Sequence, residues 1–392
     1  MVVQVNLQTW AARRRASGYS LSFQRPHGLV ISPLAVGERI IALLDEGLFT
    51  ATYKYGVLLG LLDLCLELGA DVGGGTLTVT TRQLAGKVLG VYWPQVRPLP
   101  LLDGAIPRQN SRGSRDARIV RLIDAYKTQT QREWSGPSEA KLRDPTGFER
   151  LLLETERVLI EMPLPRLQSI GNETEQFLYE INWSTAVNRN VVSRYLRGES
   201  SDFDNRIVLR AGVAAALIQL NGLLRPLIQR SWALKVARLN RLEAGVLHDF
   251  LFGQERIALV RVSASLAELQ EGRCFYCEGR LGPRPTVDHF VPWARVPNNN
   301  IENLVVTHEA CNGAKSDFLP ALAHVRRWGR RLDIRESEHR LLADISVRLQ
   351  WPSDCAATRG TACTIYGRLP PTAKLWVLGK EFEERGRESL SL

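Results

Sequence analysis

The stretch CFYCEGRLGPRPTVDHFVPW, residues 274 to 293, puts Cys274 and Cys277 on what reads as a tight turn. Eleven residues later an Asp288-His289 pair runs into Phe-Val-Pro. The whole chain of 392 residues holds only six cysteines and six histidines, so their concentration here asks for a chemical reason. Thirty-one residues after Cys277 comes His308-Glu-Ala-Cys311. Each pair, held on a turn or a helix start, can present two ligands to one tetrahedral ion. Cys274, Cys277, His308 and Cys311 together therefore make a closed Cys3His zinc site. A closed site leaves no position for substrate, so its expected role is structural. A module of about 60 residues buries too little apolar surface to be rigid alone, and structural zinc supplies about 10–16 kcal/mol to such a unit.

Outward from this cluster, the composition reads as ordinary globular protein, with 44% hydrophobic residues and a length that suggests two or three domains. The formal charge of +10 makes a polyanion the natural partner, with solubility alone as the bland alternative. Six cysteines in so long a chain are no disulfide scaffold, and in a reducing compartment closely spaced cysteines point to metal or catalysis. The arginines near the N-terminus follow the apolar residues, the reverse of a secretory signal. The greasiest stretches, 57–68 and 213–228, are interrupted by Asp63 and Glu67 and by Asn221 and Arg225, so neither reads as a membrane span. A cytoplasmic protein is the expectation.

The pattern predicts a predominantly helical α+β chain in four parts. Residues 1–135 form a helical, winged-helix-like recognition or interaction domain. Its helices span 35–47 and 52–69, followed by a short strand, a Thr cap at 80 or 81, and an amphipathic helix ended by Pro94. Arg108, Arg112, Arg115, Arg118 and Arg121 make a basic segment that either meets phosphates or is simply solvated. A linker near 132–147 opens a mainly helical middle domain, 136–265. Its helix at 148–162 is followed by a strand at 177–183 and a long apolar helix at 212–240 with a kink at Pro226. Residues 266–335 hold the cysteine cluster, and 336–392 form a C-terminal extension. Cys65 reads as core, and His27, His248 and His339 as structural.

Between the two ligand pairs lies VDHFVPWARVPNNNIENLVV, and after the second comes CNGAKSD. Asp-His-x-x-Pro, then Asn-Leu, then Cys-Asn-x-x-Lys, set between Cys-x-x-Cys and a second ligand pair, resembles the HNH endonucleases, whose fold is the ββα-metal or His-Me finger. The resemblance covers residues 274 to about 318. It implies that His289 is the general base and that Asp288 and Asn312 hold a single Mg²⁺ or Mn²⁺. It also implies that Asn303 stiffens the loop carrying the base. Oxygen donors suit hard cations, and an imidazole can take a proton from water near neutral pH. Lys315, three residues after Asn312, is expected to reach a phosphate. Arg326, Arg327, Arg330 and Arg331 are expected to contact the nucleic-acid backbone, and His324 either lines that face or packs. His308 stands where the family more often has cysteine, which leaves a competing reading in which it is catalytic and the zinc site degenerate.

The function implied is hydrolysis of DNA, double-stranded by expectation, by a bacterial restriction or antiphage nuclease acting as a homodimer or with a partner protein. The alternatives are a non-catalytic zinc-stabilised DNA-binding module and a partner-controlled effector subunit of a defence complex.

Overall fold

Helix α2 (Tyr53–Leu68) is apolar on nearly every face, with all residues from Lys54 to Leu62 and from Leu64 to Leu66 buried. A helix with no polar stripe has to be surrounded, and α2 is enclosed by α3 (Thr81–Tyr92), α8 (Val213–Asn240) and α14 (Cys355–Gly367). This computed structural model describes residues 31–46, 51–69, 74–111, 116–131, 136–170, 173–200, 202–253 and 259–387. His27, Arg112 and Arg115 lie outside them.

Around α2 the first body runs α1 (Pro33–Glu46), β1 (Leu77–Thr80), α3, α4 (Arg118–Thr130), α5 (Pro137–Arg143) and α6 (Pro145–Glu161). It continues through β2 (Ser169–Ile170), β3 (Glu173–Thr174), β4 (Tyr179–Glu180), α7 (Arg189–Leu196), β5 (Arg206–Leu209), α8 and α9 (Ala244–Phe252). Thr80 launches α3 through a capping box, its hydroxyl taking the Gln83 N–H while the Gln83 side chain takes the Thr80 N–H. The winged-helix-like part of the expectation is not shown here. β1 pairs antiparallel with β5, Leu77 opposite Leu209, and β4 adds on the far side in the order β1-β5-β4. A wing needs a local hairpin after the helix, and the partner of β1 comes instead from far along the chain.

One hydrophobic cluster runs from Val36 to Leu251, across the boundary expected near 135. The buried Glu156 of α6 ties the same span together. Its carboxylate accepts from Thr81 and Tyr195 and pairs with Arg82. The expected long helix is α8, which continues through Pro226. The charges that interrupt the greasy stretches are used internally, since Arg225 Nη2 meets Asp63 Oδ1 at 2.6 Å.

The second body comprises α10 (Val260–Leu269), β6 (Thr286–His289), β7 (Leu304–Thr307), α11 (Glu309–Lys315), α12 (Leu322–Arg330), α13 (Ser337–Leu349), α14, β8 (Lys374–Leu378) and β9 (Glu381–Glu384). The β6–β7 hairpin pairs Thr286 with Thr307 and His289 with Leu304. A cluster with Phe275, Phe290 and Trp328 forms one core of this body, and a second holds Val262, Ile301 and Trp351. Both draw on the C-terminal extension, through Tyr366 and Trp376 in the first and Leu342 and Ile345 in the second. Helix α14 also crosses α2 so closely that a Cβ on Gly360 would stand 2.1 Å from the Glu67 carbonyl oxygen. Only glycine permits that approach. Among the described residues no helix is long and apolar enough to cross a membrane.

Candidate active site

The ligand atoms of Cys274, Cys277, His308 and Cys311 all lie within 4.8 Å of one another. A tetrahedral ion with bonds of about 2.0–2.3 Å needs its ligand atoms roughly 3.3–3.8 Å apart. His308 Nδ1 stands 3.2 Å from Cys277 Sγ and 3.9 Å from Cys311 Sγ. The other imidazole nitrogen, Nε2, donates to the Arg280 carbonyl at 2.8 Å. A carbonyl can only accept, so the proton sits on Nε2 and Nδ1 is left to ligate, the usual outer-shell orientation of a metal histidine. His308 is thereby accounted for within the cluster rather than as a catalytic group.

Electrostatics favour a cation at the same point. Burial opposes ionisation of Cys274, yet the backbone N–H groups of Cys277, His308 and Tyr276 aimed at its sulfur bring it below the ordinary thiol value. Cys311 is pushed up to about 12 by burial and by the neighbouring sulfurs. Without an ion the cluster can accommodate little negative charge, and a divalent ion relieves that conflict. The knuckle is held from outside by Arg327, which pairs with Glu278 and lies over the Phe275 ring at 5.0 Å.

Strand β6 builds the second site by alternation. Val287 packs toward the Ile301–Trp351 core, while Thr286 and Asp288 take the opposite face, where α11 lies. Asn312 Nδ2 donates to Thr286 Oγ1 at 3.3 Å. One helical turn on, Lys315 Nζ meets Asp288 Oδ2 at 3.0 Å. Tyr276 donates its hydroxyl to the same carboxylate oxygen at 2.6 Å, so the named bonds of Asp288 both end on Oδ2. Lys315 also donates to the His289 carbonyl at 2.9 Å.

His289 ends the strand half-buried, its Nε2 bonded to Asn299 Oδ1 at 2.8 Å and its ring 5.3 Å from that of Trp293. Its pKa is lowered, first by burial and then by the Lys315 charge, against the raising effects of the Asn299 bond and the Asp288 carboxylate. Asn303 is fully buried. Its Oδ1 takes the Val291 N–H at 2.9 Å, and its Nδ2 donates to Val291 O and Asn298 O at 3.1 and 3.0 Å. One amide thus closes the loop that follows the histidine.

Two expected phosphate contacts are corrected. Lys315 has no exposed surface, because its ammonium is the internal counter-ion of Asp288. Arg331 is 2% exposed, donates to Leu304 O at 3.3 Å, and has its pKa lowered to about 10 by burial. Arg327, only partly exposed, pairs with Glu278 beside the cysteine knuckle as described. Arg326 and Arg330, on the other face of α12, are exposed. His324 packs, donating Nε2–H to Val377 O and accepting from Arg327 at Nδ1. Cys65 is core.

Sequence reading missed Tyr276 and Asn299. Tyr276 sits inside Cys-x-x-Cys, and Asn299 in the middle of the Asn298-Asn299-Asn300 run. In the latter, three adjacent amides in a nuclease-like loop were the available signal.

Compared with known families, residues 274–321 match the family model described as HNH endonuclease. Residues 37–251 match one described as Domain of unknown function (DUF8808). No curated protein and no solved structure matches the chain.

Proposed function

Since the chain belongs to the DUF8808 family, whose model covers more than half of it, and carries an HNH endonuclease domain behind that region, we propose that it is a divalent-cation-dependent endonuclease cutting DNA phosphodiester bonds. One observation carries this reading: α11 addresses Thr286 and Asp288 with Asn312 and Lys315, directly beside the strand end that holds His289. The residues fit two different metals. Sulfur and imidazole suit zinc at the Cys3His cluster. Asp288 Oδ1 and Asn312 Oδ1, the oxygens not spent on Lys315, Tyr276 or Thr286, are hard donors suited to Mg²⁺ or Mn²⁺. When bound there, such a cation would offset charge on the phosphate and on the leaving oxygen.

The chain's own groups do the rest. Burial keeps His289 neutral near pH 7, so it can take a proton from water. Lys315 holds the Asp288 carboxylate and the His289 main chain in one frame. Arg326 and Arg330 remain as phosphate contacts on α12, and the net positive charge favours approach of the polyanion.

The test is cleavage of supercoiled and linear plasmid with Mg²⁺, with Mn²⁺ and with EDTA, beside His289→Ala. Loss of the base is expected to lower the rate by about 10²–10⁴-fold, and EDTA to abolish cutting. A variant that cuts at the wild-type rate removes His289 from its role, and cutting that survives EDTA removes the cation.

A further inference from the structure

The residue that sets the histidine's protonation is Asn299. Its Oδ1 only accepts, so the 2.8 Å contact requires the proton on His289 Nε2 and leaves Nδ1 as the basic nitrogen. Asn299 is itself held from two directions. On the nuclease side, Trp351 Nε1 donates to Asn299 O at 2.8 Å. The neighbouring Asn298 and Asn300 both donate to Thr358 Oγ1, at 3.1 and 3.2 Å, and Asn303 takes hold of Asn298 O.

On the other side the hold comes from the family domain. Asn221 of α8, 7% exposed, donates Nδ2–H to Arg295 O at 3.1 Å. Its Oδ1 accepts from Arg225 Nε at 3.2 Å, and Arg225 in turn pairs with Asp63 of α2. The next loop residue, Val296, is 5% exposed and packs into the core of the first body. A polar chain, Asp63–Arg225–Asn221, buried at Arg225 and Asn221, thus ends on the main chain four residues before Asn299. Buried polar groups are costly unless fully bonded, and a satisfied network fixes one geometry. The loop therefore has little freedom between its two anchors.

We infer that Asn299 is a positioning residue for His289, and that the 37–251 domain sets that position through Asn221 and the Arg295 carbonyl. The inference rests on the nuclease reading for its kinetic consequence but not for its structural one. If it holds, nuclease activity depends on the packing of α2 and α8, so that anything shifting α8 detunes the base without touching DNA.

The experiment uses the full chain in two readouts. The first is steady-state cleavage of Asn299→Leu, Asn299→Asp and Asn221→Asp. Asn299→Leu removes the acceptor and is expected to lower kcat about 10–100-fold with KM for DNA little changed. Asn299→Asp keeps an acceptor oxygen and restores most of the loss. Asn221→Asp keeps the oxygen that Arg225 uses, loses the donor to Arg295 O, and is expected to lower kcat roughly 2–30-fold.

The second readout is the ring-nitrogen spectrum of ¹⁵N-histidine-labelled protein, with His289 assigned by its absence in His289→Ala. A single Nε2–H tautomer is expected in the wild type. Mixed tautomers are expected in Asn299→Leu, and a displaced Nε2 signal in Asn221→Asp. Wild-type kcat in Asn299→Leu, or an unaltered His289 spectrum in either the Asn299→Leu or the Asn221→Asp variant, overturns the inference. Should the wild type cut nothing with either cation, the nuclease reading fails while the spectra still decide the positioning.

Discussion

The two bodies of this protein hold their shape by different means. The region 33–252 buries one continuous cluster around a mostly apolar helix, with Trp232 and Tyr92 fully enclosed. The region 259–387 divides its apolar residues between two smaller clusters on either side of a short hairpin. It also places four metal-type ligands within 4.8 Å. A large core can be stabilised by area alone, whereas a small split one needs a crosslink. The comparison says where precision comes from. The first body supplies a stiff support, and the second carries the HNH-matching site beside a loop that both bodies hold.

Removing the crosslink should break the comparison most. With zinc chelated, or in Cys277→Ser, the second body is expected to lose up to about 10–16 kcal/mol and to become protease-sensitive, while the first body keeps its helical signal. Limited proteolysis with and without chelator measures this, and a single cooperative loss of both bodies would argue that α14 welds them into one folding unit. The converse break is Trp232→Ala. It should cost about 3–5 kcal/mol and lower the thermal midpoint while leaving the zinc content of the folded protein near one per chain.

The smallest expected effect sharpens the second body alone. Glu302 is 3% exposed, and burial raises its pKa above the ordinary 4.5 despite the Ser353 hydroxyl bond. A folded-state pKa above the unfolded one means stability that is full at pH below 4.5 and lost as pH rises through the folded value. Glu302→Gln should therefore flatten that decline. The difference in thermal midpoint between the two proteins, followed from pH 4 upward, is expected to grow with pH and then level off.

Much of the Cys3His cluster was legible because its signal is local: two ligand pairs, each within one turn, need no knowledge of distant chain. The helices at α1, α2, α6 and α8 were likewise readable from period and length. The basic run on α12 was not. Arg326, Arg327, Arg330 and Arg331 look equivalent as letters, yet the stripe Leu322, Val325, Trp328 and Leu332 turns Arg331 inward while Arg326 and Arg330 stay exposed. Lys315 misled in the same way. A lysine near a presumed phosphate site reads as a phosphate ligand until its buried carboxylate partner is seen.

Residue type and spacing alone determined which side chains can bind a metal or move a proton, because ligation and basicity are properties of the groups themselves. Only tertiary structure decided which nitrogen of His289 faces Asn299, which cation neutralises Asp288, and that Asp63, Arg225 and Asn221 lead to the loop that follows His289. Those outcomes depend on contacts between residues up to 162 positions apart, and such contacts exist only once the chain has folded.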